Sequence, residues 1–225
     1  MTLIDVMARE REALMTEYLF EQGLARVQVP PYAAVPDFDV LVRTPTTLRT
    51  RHPVRVDELP GAKRGRAFVQ ICPSLNYRFL WVHADNDEYR ADYVTFLQNH
   101  YGMSIQALPE AYHVDHLYNR ARARQLALPY IRLVLLPREV NTSHGAGYEK
   151  SRTRGGLGTP GNQRGIDEIS LMKLWGVASP RKGMPLSPDI VAHARRMSML
   201  FGIPPAEIER NIRELMDVAG FRPGV

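Results

Sequence analysis

The chain of 225 residues has a single cysteine, Cys72. That excludes an intramolecular disulfide and removes the thiolate sets that usually hold structural zinc. Cys72 lies in the apolar stretch AFVQICPSLNYRFLWV, residues 67–82, and reads as an inert core thiol rather than a nucleophile. No apolar run approaches the roughly 20 residues that cross a bilayer, so no membrane partner is expected. The opening MTLIDVMAREREALMTEYLFEQG lacks the basic start, apolar centre and small-residue cleavage site of a secretory signal, which points to a cytoplasmic protein. There is no internal repeat. The glycine-rich run SRTRGGLGTPGNQRG, residues 151–165, is not followed by Lys-Ser or Lys-Thr, so it is no P-loop and reads as an exposed basic linker.

Most of the chain also lacks any excess of charge of one sign. The window from Ala111 to Arg154 holds eight basic residues (Arg120, Arg122, Arg124, Arg132, Arg138, Lys150, Arg152 and Arg154) against three acids (Asp115, Glu139 and Glu149), and outside it 21 bases meet 21 acids. The whole formal charge of +5 therefore falls on that window. Basic charge gathered on one segment suits a phosphate-rich partner, nucleic acid above all. A plain arginine-rich solvated surface would carry the same count.

Hydrophobic spacing predicts a helix over residues 2–26, with Leu3, Val6, Met7, Leu14, Tyr18 and Leu19 on its apolar side and Gly23 as a stop. A proline-rich stretch follows, with short extended pieces such as Asp39–Arg43. Residues 67–82 predict two buried strands separated by Pro73. Asn86–Tyr101 predicts a helix whose Tyr89, Tyr93, Phe96 and Leu97 pack in the core, with Gly102 as its stop. His83 and His100 at the edges of these elements read as structural. Ala111–His116 and Tyr130–Leu136 predict strands, and Arg138–Lys150 a turn leading to a short helix. Helices are expected over Ile169–Trp175, from a cap at Ser187 or Asp189 to Phe201, and over Ala206–Val218 after Pro204 and Pro205. These elements define an α+β fold with an N-terminal helix and C-terminal helices. The segments divide as an N-terminal α+β region (1–110), a central core (111–154), a flexible loop (155–167) and a helical region (168–225).

Three of the seven histidines fall in the central core, with an aspartate and an asparagine: His113, Asp115, His116, Asn141 and His144. Phosphodiester hydrolysis has a use for each type. Imidazole titrates where a water must be deprotonated near neutral pH. Carboxylate and imidazole both hold divalent cations, which offset the charge on the pentavalent phosphate. In a strand, Asp115 and His116 point to opposite faces and His113 shares a face with Asp115. In a helix, Asn141 and His144 are three apart and share a face. The plain alternative is a cluster of histidines and an aspartate that satisfy one another's hydrogen bonds.

This segment, VDH, then the strand YIRLVLLP, then NTSHGAGYEK, resembles the HNH or His-Me finger (ββα-metal) nucleases over residues 113–150. The resemblance implies a small ββα-metal-like core and a metal-dependent endonuclease. By position, His116 would be the general base and Asp115 a metal ligand. His144 would be the second ligand, with Asn141 its competitor and a catalytic orienting group. Members often carry an asparagine just before the second strand. Pro129 and Tyr130 stand there in this chain, so His113 or Asn141 is expected to orient His116. The cofactor implied is a divalent metal ion, Mg²⁺ first, with Mn²⁺, Zn²⁺ or Ni²⁺ as alternatives. Substrate contacts are expected from His113, Arg120, Arg124, Lys150, Arg152 and Arg154, with DNA ahead of RNA as the nucleic acid.

Two other readings compete. A non-catalytic DNA-binding protein of a phage or mobile element would use the C-terminal helices as a helix-turn-helix-like reader. The acids Glu207, Glu209 and Glu214 in the second of those helices argue against its entering a groove, and the pair reads more readily as a packing element, for a homodimer or a protein partner. A metal-dependent hydrolase acting on a different phosphoester is the third reading.

Overall fold

The computed structural model of the chain describes residues 1–25, 31–45, 48–152 and 158–221. The fold is α+β, a curled antiparallel sheet with helices at both ends of the chain. It divides into two compact units, Met1–Leu135 with Thr159–Ile166, and Leu136–Gly158 with Asp167–Val225. The division differs from the sequence-based one. It cuts through the expected central core, because the strand there belongs to the sheet and the residues after it pack among helices.

The first unit opens with α1, Leu3–Ala25, which runs through Gly23. Its buried line is Leu3, Val6, Glu10, Ala13, Leu14 and Glu17. The spacing is that of one helical face, but two members are glutamates, and the expected Leu19 is exposed. Strand β1, Tyr32–Val35, leads to α2, Phe38–Arg43. An extended piece was expected there. The helix forms because Asp37 caps it, its carboxylate accepting from the Val40 N–H at 2.7 Å.

Strands β2 (Arg55–Glu58), β3 (Ala67–Cys72) and β4 (Tyr77–His83) are antiparallel neighbours. The β3–β4 register runs from Ala67 opposite Val82 to Cys72 opposite Tyr77. The predicted break at Pro73 is a short turn closed by Asn76 at φ 50°, a left-handed conformation that asparagine tolerates. Cys72 is buried, as expected. Helix α3, Tyr89–Tyr101, ends on Gly102 at φ 62°.

Strand β5 (Tyr112–His116) follows, then a six-residue helix α4 (Arg120–Gln125) capped by Asn119, then β6 (Tyr130–Pro137). Among the described residues the sheet order is β2-β3-β4-β6-β1-β7, with β5 paired to β6. The closing strand β7 is Arg164–Gly165, antiparallel to β1. The end of the expected linker therefore joins the sheet, while residues 153–157 of it lie outside the described residues. The core of this unit packs Val69, Ile71, Leu80, Val82, Leu133 and Leu135 against Tyr93, Phe96 and Leu97 of α3 and Leu3 and Val6 of α1.

The second unit is helical among the described residues: α5 (Arg138–Ala146), α6 (Tyr148–Arg152), α7 (Glu168–Leu174), α8 (Pro188–Phe201) and α9 (Pro205–Val218). Helix α5 starts directly at the end of β6, without the expected turn. Ser187 caps α8 and Gly202, at φ 69°, closes it. Ile190, Ala194 and Met197 of α8 meet Ile208, Ile212 and Met216 of α9 in the core of this unit. No helix among the described residues is long and apolar enough to cross a membrane.

Candidate functional site

Strand β5 alternates as a strand with one buried face must. Val114 and His116 are buried, while Tyr112, His113 and Asp115 are partly exposed. The predicted opposition of Asp115 and His116 is thus present, with Asp115 on the wetter face. One residue past the strand, the Leu117 N–H donates to the Arg132 carbonyl at 2.9 Å, which extends the pairing of β5 with β6.

His116 is 8% exposed. Its ring lies against Tyr89 at the start of α3, with centroids 4.5 Å apart and planes tilted by 57°. Two guanidiniums sit near the same tyrosine ring, Arg90 at 5.4 Å and Arg120 at 5.8 Å from its centroid. Both distances fall within the range of cation–π attraction. Neither Tyr89, read from sequence as core packing, nor Arg90 was expected at the site. Tyr89 sits in phase with Tyr93, Phe96 and Leu97 and reads as one more core aromatic, but it is only partly buried whereas those three are fully buried.

The other expected contacts are distributed as follows. Arg120 is partly exposed and donates to the Asn86 carbonyl at 3.4 Å. Arg124 is exposed and bonds Asp85 at 2.8 Å. Arg122 is buried with its guanidinium 4.8 Å from the Tyr118 ring. Arg132 is fully buried and forms a two-point ion pair with Glu17, at 2.8 and 3.3 Å. Two of the eight bases counted in the basic window therefore face the interior.

Asn141 and His144 stand on α5, in the second unit, at the expected spacing. Asn141 is partly exposed and His144 fully buried. Nε2 of His144 lies 2.9 Å from the Val177 carbonyl. A carbonyl only accepts, so Nε2 carries the proton. Any metal bond from this ring would have to use Nδ1. Lys150 is exposed, Arg152 is partly buried with its guanidinium 5.8 Å from the Tyr148 ring, and Arg154 lies outside the described residues.

Among the described residues, no group of three or more histidine, cysteine, aspartate and glutamate side chains is arranged to hold a metal ion. A magnesium ion makes a smaller demand. It keeps most of its waters and uses one or two carboxylates together with substrate phosphate oxygens. Asp115, partly exposed on the opposite face of β5 from His116, is a single carboxylate of that kind, with its Oδ2 buried.

His83 and His100 have structural surroundings, as expected. Nδ1 of His83 accepts from Arg66 at 2.9 Å and from the Asp85 N–H at 3.2 Å. Burial, and then the Arg66 charge, hold its pKa below the usual histidine range. Burial and Arg78 do the same for His100, whose ring packs 5.3 Å from Phe96. Comparison of the chain with family models, curated proteins and solved structures found no match.

Proposed function

We propose that this protein is a metal-dependent endonuclease that hydrolyses nucleic-acid phosphodiester bonds, DNA ahead of RNA. The observation that carries the reading is the order of parts around Asp115 and His116. The pair ends a strand, that strand pairs with β6, and β6 runs without a break into a helix bearing Asn141 and His144. The short α4 stands between the two strands, and the pairing of β5 with β6 ahead of α5 supports the ββα reading that the resemblance implies.

In this reading His116 takes the proton of the attacking water. Its imidazole sits at the wall of the core, shielded from bulk solvent and held against Tyr89. Asp115, next to it in the chain, would hold the divalent cation. When bound, the cation supplies charge stabilisation to the phosphoryl group. Arg120, with Arg90 beside the same tyrosine, supplies positive charge next to His116 for the phosphate. The reading rests on Asp115 and His116 and does not require a metal bond from His144.

The test is relaxation of supercoiled plasmid with Mg²⁺ or Mn²⁺ by the wild type, His116→Ala and Asp115→Ala. Loss of a general base lowers the rate by about 10²- to 10⁴-fold, and that is the loss expected for His116→Ala. Equal cleavage by wild type and His116→Ala removes His116 as the base. No cleavage by any of the three, with DNA still retarded on a gel, selects the non-catalytic DNA-binding alternative.

A further inference from the structure

We infer that Tyr89 is the positioning residue for His116, in the role that the nuclease resemblance gives to an asparagine ahead of the second strand. The inference rests on the nuclease reading for its meaning and on separate geometry for its content. Pro129 and Tyr130 occupy the asparagine's place in the chain. Sequence reasoning offers His113 and Asn141 as substitutes. His113 lies on the opposite face of the strand from His116. Tyr89 lies against the His116 ring, at a centroid distance of 4.5 Å. That is the near end of the range for favourable aromatic pairs.

A positioning residue must itself be held, and Tyr89 is. The chain enters α3 through Asn86, which is 3% exposed. The Asn86 N–H donates to the His83 carbonyl at 2.8 Å, and its Oδ1 accepts from the Glu88 N–H at 2.9 Å. Its Nδ2 donates to Asp92 at 2.7 Å and to the Arg66 carbonyl at 3.2 Å. Its own carbonyl accepts from Arg120 at 3.4 Å. Every polar group of Asn86 is thus engaged, and the helix start that bears Tyr89 is tied to Arg66 just ahead of β3, to β4 and to α4. Arg120 then closes the arrangement by placing its guanidinium 5.8 Å from the Tyr89 ring. The helix start that bears the ring is thus held, and the imidazole lies against the ring. A general base is effective only while its nitrogen stays aimed at the water, and small misplacements cost large factors in rate.

The contact inferred is one between the two rings, and a phenyl ring would make it as well as a phenol. Tyr89→Phe keeps the ring and Tyr89→Leu removes it while retaining apolar bulk. For the full chain on plasmid with Mg²⁺, Tyr89→Phe is expected to keep kcat within about 3-fold of wild type. Tyr89→Leu is expected to lower kcat by about 10- to 100-fold with KM changed by less than about 3-fold. A second measurement reads the contact without any cleavage. In ¹H–¹³C spectra the His116 ring protons, assigned through His116→Ala, are shifted by the tyrosine ring current. They should keep their positions in Tyr89→Phe and move in Tyr89→Leu. Unchanged kcat in Tyr89→Leu overturns the inference, and so do His116 signals that are the same in all three proteins. If the wild type cleaves nothing, the nuclease reading fails, and the ring signals still decide whether Tyr89 holds His116.

Discussion

The ring of His144 has no exposed surface, and it gives its Nε2 proton to the Val177 carbonyl at 2.9 Å. That bond joins α5 to the segment after α7, inside one compact unit. Removing the ring would leave a void and a buried carbonyl without its donor, two effects that add. His144→Ala is expected to lower unfolding free energy by about 2–4 kcal/mol, measured by urea denaturation without added metal. A change below about 0.5 kcal/mol together with lost Mg²⁺-dependent cleavage would return His144 to the ligand role that the resemblance implies. Residue type and helical spacing were legible for His144 and Asn141. Which ring nitrogen is occupied was not, because Val177 lies 33 positions away. Tyr89 packs against the core, as its spacing predicts, but its contact with His116 was not legible for a related reason. Its phase with Tyr93, Phe96 and Leu97 places it on the core face, and periodicity cannot register that the first turn of a helix sits at the rim of a core.

Helix α1 was legible as a helix, but not in what holds it. Glu10 and Glu17 occupy its buried line, seven positions apart, so they fall on the same face. Glu17 receives the two-point pair from Arg132, 115 positions away, and a hydrogen bond from Tyr77 at 2.6 Å. Arg132 in turn lies 4.6 Å from the ring centroids of both Phe79 and Trp81. Glu10 accepts from the Leu135 N–H at 2.8 Å and is bonded to the Tyr93 hydroxyl. Burial pushes the Glu10 carboxyl up to about 8, against the lowering effect of those two hydrogen bonds. The folded protein therefore holds this proton where the unfolded chain has released it. Stability from this group is complete below the ordinary carboxylate range and is lost as pH rises toward about 8, by up to about 1.4 kcal/mol per pH unit. Gln in its place can accept from Leu135 and donate to Tyr93 without titrating. Urea denaturation of wild type and Glu10→Gln at pH 5, 6.5 and 8 should show the variant gaining relative to wild type with each step. Parallel pH profiles would mean that Glu10 is not protonated in the fold. Helix α2 was lost from the sequence reading on a similar scale, since six residues in a proline-rich stretch give no periodicity and only the Asp37 cap marks the start.

Over the whole chain the net charge of +5 is a property of composition, but the surface that a nucleic acid would meet is not. Arg122 and Arg132 leave the basic window for the interior, and Arg124 is bonded to Asp85. Lys150 remains exposed. If it contacts a phosphate, Lys150→Ala in a His116→Ala background should reduce the slope of log K against log salt by about one on duplex DNA. Lys63→Ala, which removes an exposed lysine bonded to Glu88 at 2.9 Å, should leave the slope unchanged. Equal slopes in all proteins would take Lys150 out of the interface. The sequence by itself determined the α+β class, the strand carrying Asp115 and His116 and the strand after it, the stop of α3 at Gly102, and the cap and stop of α8. Each of these is set by neighbours within a few residues, through side-chain alternation, a capping hydroxyl or a glycine at positive φ. Only the tertiary structure decided that two glutamates of α1 are buried, that two arginines of the basic window are spent inside, and that Tyr89 stands against His116. Those outcomes depend on groups brought together from distant parts of the chain, where burial reverses what a charge or an aromatic ring is expected to do.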